Sequence, residues 1–187
     1  MQDAVAISAL IHSVAHYFTL HPQGEGAEAF LQTIGVASIA GFIAAPNFHY
    51  LVGEVSHEGT MTLAGVVAMR DRTHLYHLFV APHWQRQGIA RQLWRAAQQA
   101  ALAAEPVTTF TVHSTPYAVP MYENFGFFAT GPKLETMGIA FVPMQLSLAV
   151  TEVWTDWEGK VIKLNDIEYF NFLSNWVHLV SAVEIVE

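Results

Sequence analysis

One short stretch of the chain carries residues that could hold an anion. Gln85-x-x-Gly88-x-Ala90 lies between an aromatic and β-branched run, 76–80, and a helical apolar period at Ile89, Leu93, Ala97, Ala100 and Ala104. Pro82 stops the strand half. Gly88 and Ala90 leave room for a ligand to approach the backbone. The first turn of a helix offers unpaired N–H groups and a partial positive charge, which suits a phosphate. Arg86 and Arg91 flank the turn and add two cationic donors. The stretch lacks the Gly-x-Gly-x-x-Gly of a dinucleotide site and the Gly-Lys-Ser/Thr of a P-loop, so neither is expected. A strand, a turn and an amphipathic helix also occur in α/β proteins that bind no phosphate, and the stretch alone does not decide between the two.

The ten histidines invite a test for metal chemistry. His12 and His16 are four apart on an expected helix, a spacing that can hold a metal, but no acidic partner stands nearby. His74 and His77 are three apart on an expected strand, which places them on opposite sides. There is no cysteine, which excludes disulfides, thiolate nucleophiles and Cys-ligated metals. No metal site is expected.

The strand–turn–helix needs elements to position it. Helices are expected over 4–18 and 27–34, and an apolar run of either type over 36–45. Strands over 48–55 and 60–69 flank a Ser56-His57-Glu58-Gly59 turn, and Asp71-Arg72 leads into the central strand, 73–80. Strict alternation puts Phe48, Tyr50, Val52 and Glu54 on one face of their strand, and Leu75, His77 and Phe79 together on one face of theirs. The helix from Gly88 ends near Glu105-Pro106. A strand follows over 107–113, then a helix that begins near Ala118 and stops at Gly126. Strands over 127–129 and 139–148 close the order. This is an α/β (α+β) pattern with a mixed, mostly antiparallel sheet.

Two motifs resemble one family. Val80-x-Pro82 with Gln85-Arg86-Gln87-Gly88-Ile89-Ala90 resembles the acetyl-coenzyme A motif of the GNAT superfamily of N-acetyltransferases. Tyr117-Ala118-Val119-Pro120-Met121-Tyr122-Glu123-Asn124-Phe125-Gly126-Phe127 resembles its Ala-x-x-x-Tyr-x-x-x-Gly-Phe segment, in the same order along the chain. The resemblance covers roughly 4–148. It implies a GNAT-like fold whose usual first strand is missing or very short here, because few residues precede the first helix. It implies acetyl-coenzyme A as co-substrate, with its pyrophosphate on the backbone from Arg86 to Arg91. Gln85, Arg86, Gln87, Gly88, Ile89, Ala90 and Arg91 would form that cradle. Backbone groups of Leu78, Phe79 and Val80 would polarise the thioester carbonyl. Tyr122 matches the family's usual general acid, a phenol able to protonate a leaving thiolate. Thr115 stands where the family often has an Asn that touches the pantetheine arm. Its hydroxyl can replace part of that contact.

The base is open between Glu54, His77 and His113, each on a strand near the expected sheet centre, or water alone. The expected reaction is direct acetyl transfer to a primary amine of unidentified identity. A non-catalytic acyl-coenzyme A sensor is the alternative. A hydrolase built on His113 and Ser114 is disfavoured, since adjacent strand residues face opposite ways.

Composition frames the rest. With a formal charge of −8 the chain is a poor match for nucleic acid. No run approaches the ~18–20 apolar residues of a membrane span, and the start has no basic leader region, so a cytoplasmic protein is expected. Residues 1–148 form the expected domain and 149–187 an extension. The extension holds seven acids against two lysines, yet also Trp154, Trp157 and Trp176. A hairpin around 156–160 and a helix over 166–183 are expected there, packing on the domain or on a second subunit. The aromatic extension and the resemblance lean towards a homodimer.

Overall fold

The computed structural model describes residues 2–57 and 59–148, with the strand residues 154–155 and 161–162. The chain divides into two units, Met1–Ser147 and Leu148–Glu187. In the second, Trp154–Thr155 and Val161–Ile162 pair as antiparallel strands that bracket 156–160. The helix expected over 166–183 lies outside the described residues.

The first unit is built on a seven-stranded sheet. Strands β1 (Phe48–His57), β2 (Thr60–Arg70) and β3 (His74–Val80) form an antiparallel meander. Helix α4 (Ile89–Ala104) then carries the chain across to β4 (Thr109–Ser114), which lies parallel to β3. A parallel neighbour requires such a crossover. Strand β7 (Ile139–Ser147) pairs antiparallel with β4, and β5 (Phe128–Ala129) and β6 (Leu134–Thr136) both pair with β7. The sheet is thus mixed and mostly antiparallel, as the sequence suggests.

Helices cover both faces. Helix α1 (Gln2–Ser13), α2 (Glu28–Thr33) and α3 (Val36–Ala44) pack on one. Ile7, Leu10 and Ile11 of α1, Ile34 just after α2 and Ile39 of α3 gather with Phe18 around Val66 of β2. The next residue, Gly65, lies under Ile89 and Leu93 of α4, so α4 holds the opposite face. Gly53 of β1 pairs with Gly65 and lies under the same two side chains. A Cβ on Gly65 would lie 2.8 Å from Leu93 Cδ1 and 2.9 Å from the Phe79 carbonyl oxygen. Two facing glycines therefore let the first turn of α4 settle close to the sheet.

Several expectations need correction. The first helix stops at Ser13 and a 3-10 turn, Ala15–Tyr17, follows, so His12 and His16 do not share one helical face. The helix near Ala118 is a single turn, α5 (Val119–Glu123). Strand β6 was not expected: it forms a hairpin with β7 through the two-residue turn Met137-Gly138, both at positive φ.

The main correction lies in β3. Ala68 pairs with His77 and Met69 with Leu75, so Tyr76 is an extra residue on β3. This bulge reverses the alternation. Leu75 turns to the α4 face while His77 and Phe79 stay on the α1 face. By the same register, His74 and His77 lie on one face rather than on opposite ones. They still share no ligand geometry: His74 Nδ1 lies 2.8 Å from Thr111 Oγ1, and His77 Nδ1 lies 3.1 Å from the Tyr50 hydroxyl. Among the described residues no group of three potential metal ligands exists. Nor is any described helix long and apolar enough to cross a membrane.

Candidate active site

The sheet opens beside the bulge. Strands β3 and β4 pair only at His74–Thr111 and Leu75–Val112. Beyond Leu75 they separate, and a cleft of about 470 Å³ fills the gap. Its floor is Leu75, Tyr76, Leu78, Phe79 and Val80 of β3, with Val112 and His113 of β4. At one end stands the turn 84–91. Thr115, Tyr122 and Phe125 line the α5 side, and Val14, Tyr17 and Phe18 line the α1 side.

The turn is shaped by its backbone. Arg86 has φ +63° and Gly88 +82°, both left-handed. A side chain at Gly88 would meet nothing within 4 Å, so the space above it is open. Helix α4 has no side-chain cap. Its first bond runs from the Gln92 N–H to the Gly88 carbonyl, which leaves the N–H groups of Ile89, Ala90 and Arg91 without helical acceptors. The Gln85 amide donates to the Val80 carbonyl at 3.1 Å, and Gln87 donates to the His83 carbonyl at 3.1 Å. Both glutamines thus tie the loop to itself and to the end of β3. The Arg91 guanidinium lies 5.5 Å from the Phe125 ring centroid, at the cleft wall. Unpaired N–H groups, two arginines and open space fit a phosphate-bearing ligand.

Tyr122 is buried, with its ring packed edge-on to Phe125 and Phe127. Burial raises its pKa above the ordinary phenol value, so it stays protonated. Among the described residues no side chain hydrogen-bonds its hydroxyl. Thr115 Oγ1 accepts from the Ala118 N–H at 3.1 Å, so its hydroxyl shapes the turn into α5 as well as facing the cleft.

Of the three candidate bases, the structure brings only His113 to the cleft. Its pKa is lowered by burial and then by the nearby Arg70 charge, which keeps the ring neutral and able to accept a proton. His77 is buried among Phe42, Tyr50 and Phe79, and desolvation lowers its pKa to about 3. Glu54 is exposed on the edge strand β1, away from the cleft. Ser114 is buried and donates to the Thr115 carbonyl, apart from His113. Sequence reasoning did not single out Tyr17, Tyr76 or Tyr117 as lining residues. Tyr76 and Tyr117 fall inside stretches that the sequence does mark, but their joint lining of the cleft with Tyr17 depends on separate segments coming together.

A sheet that splays beside a candidate anion cradle is the arrangement that the resemblance to the GNAT fold leads one to expect. The chain belongs to the Acetyltransferase (GNAT) domain family, whose model matches residues 18–148. Solved structures agree in fold. A GCN5-related N-acetyltransferase from Rhodopseudomonas palustris superposes with TM-score 0.60 at 19% identity, over 78% of this chain and 87% of that one. The PaiA N-acetyltransferase of Thermoplasma acidophilum, solved with coenzyme A, gives 0.57 at 11% identity over 78% and 93%. A GNAT-family acetyltransferase described as putative, from Desulfovibrio desulfuricans, gives 0.55 at 18% over 78% and 92%. Among curated proteins no sequence match is found.

Proposed function

We propose that the protein transfers an acetyl group from acetyl-coenzyme A directly to a primary amine. One observation carries this reading: a single cleft joins the Gly88 cradle to both Tyr122 and His113. Acetyl-coenzyme A supplies an activated acyl carbon on a thiol leaving group. The N–H groups of 86–91 hold its pyrophosphate, with Arg86 and Arg91 adding charge. Backbone groups of Leu78, Phe79 and Val80, on the edge of β3 that β4 leaves unpaired, polarise the carbonyl. His113 takes the proton released by the attacking amine. Tyr122 gives its proton to the departing sulfur. Burial makes Tyr122 a weaker acid, but it equally disfavours a bare thiolate in the same place. The cytoplasm is the compartment this reading expects, and a homodimer its expected assembly. Residues 149–187 serve as an extension to the catalytic domain 1–148.

Tyr122→Phe tests the reading. Turnover should fall roughly 10²–10⁴-fold while coenzyme A affinity, measured calorimetrically, stays native. A wild-type protein that binds coenzyme A but acetylates no amine would instead favour the acyl-coenzyme A sensor.

A further inference from the structure

The aromatic lining of the cleft differs in chemistry from the cradle. It includes Tyr17, Tyr76, Tyr117 and His113. Tyr17 and Tyr117 stack on each other, with ring centroids 4.2 Å apart and planes 17° apart. His113 lies against Phe141 at 4.5 Å. No aspartate or glutamate lines the cleft. A second ammonium entering here would lose water and gain no carboxylate.

Aromatic rings can hold cations, but those nearest already hold others. The Arg70 guanidinium lies 5.2 Å from the Tyr76 centroid, and Arg91 lies over Phe125. Tyr17 and Tyr117 each give one face to the other. The carboxylate beside Arg70, that of Asp71, is already paired with it at 3.6 Å. A flat apolar group meets the opposite conditions. Tyr117 is 54% exposed, so ring area remains on which a stack can be extended.

We infer that the acceptor is an arylalkylamine-type primary amine, an aromatic body with a single amino group, held by the Tyr17–Tyr117 stack beside His113. This rests on the acetyl-transfer reading above and narrows it. The amine nitrogen attacks the acetyl carbon, the carbon–sulfur bond breaks, one proton leaves nitrogen for His113, and one reaches sulfur from Tyr122. The products are an N-acetyl arylalkylamine and coenzyme A.

The test titrates the full chain, saturated with coenzyme A, with tyramine and with spermidine by calorimetry, and measures acetylation of both. Tyramine should bind, and its kcat/KM should exceed that of spermidine by about 10–200-fold, the range that apolar pockets achieve. Tyr117→Ala should raise KM for tyramine about tenfold without altering coenzyme A affinity, and Tyr117→Phe should restore it, since the stack needs the ring and not the hydroxyl. A preference for spermidine, no aromatic amine accepted, or an unchanged tyramine KM in Tyr117→Ala would overturn the inference while coenzyme A still binds. Failure to bind coenzyme A at all would overturn the acetyl-transfer reading, and the inference with it.

Discussion

Gly65→Ala should both destabilise the protein and weaken its grip on coenzyme A. The new methyl would sit 2.8 Å from Leu93 Cδ1, 2.9 Å from the Phe79 carbonyl oxygen and 3.3 Å from Ile89 Cγ2. The leucine tip can swing aside, but the carbonyl belongs to β3 and is fixed by pairing to β2. The carbonyl clash therefore strains the β2–β3 pairing, while the contacts with Leu93 and Ile89 push the first turn of α4 away from the sheet. Overpacking of this kind costs about 1–3 kcal/mol. For a chain of this length that is a fall in Tm of roughly 2–12 °C. The lifted turn is also the anion cradle, and misplacement by ~1 Å can cost about 10²-fold in function. Gly41→Ala is the control. It lies inside α3, where an added methyl meets nothing within 4 Å, so it should stabilise by roughly 0.4–1 kcal/mol. Thermal denaturation and coenzyme A titration of both variants give the answer. A Gly65→Ala protein with native Tm and native affinity would refute the claim that the glycine pair seats α4.

Other outcomes follow from the same geometry. Arg86→Ala and Arg91→Ala should each weaken coenzyme A binding about tenfold, with a smaller dependence on salt, since each removes one exposed cation from the cradle; calorimetry at two ionic strengths measures this. Stability should fall on acidification. His77 has a folded pKa of about 3 against 6.5 unfolded, so below pH 6.5 the unfolded chain takes up the proton and the native state does not. Its contribution is full above pH 6.5 and declines by roughly 1.4 kcal/mol per pH unit as pH falls towards 3. His74, lowered to about 4 by burial and then by Arg70, acts in the same direction. Denaturation followed between pH 7 and 4 should show a shallower slope in His77→Gln.

The strand–turn–helix that carries the candidate cradle is legible in the sequence because its signals are local. Gly88 is needed at φ +82°, and the period of Ile89, Leu93 and Ala97 points the helix at the sheet. The faces of β3 are not legible, because one extra residue at Tyr76 reverses them and no residue type announces a bulge. The separation of β3 from β4 is hidden for a related reason: it depends on where pairing ends between strands that a whole crossover helix keeps apart in the chain. Among the bases, strand position alone left Glu54, His77 and His113 equal. Their separation comes from β1 being an edge, from the aromatic packing around His77, and from the open gap beside His113. Hairpin β6–β7 escaped notice because Met137 holds a left-handed turn position usually given to Asn, Asp or Gly.

The segment 18–20 connects the α1 side of the sheet to the start of β7. Phe18 is anchored in the core with α1, yet its carbonyl accepts from the Ala140 N–H, and the Leu20 N–H donates to the Gly138 carbonyl at 2.8 Å. Thr19 bridges Ile139 in the same place. The domain therefore behaves as two leaves, β1–β3 and β4–β7, hinged at two residue pairs and laced together again by this crossing segment. A Cβ at Gly138 would run into the backbone of Gly26, so the lacing tolerates no side chain there. A substitution at Gly138 should push the β6–β7 turn away from the Gly26–Ala27 backbone and loosen this lacing. It should slow transfer while leaving the cradle, and so the binding of the donor's phosphates, intact.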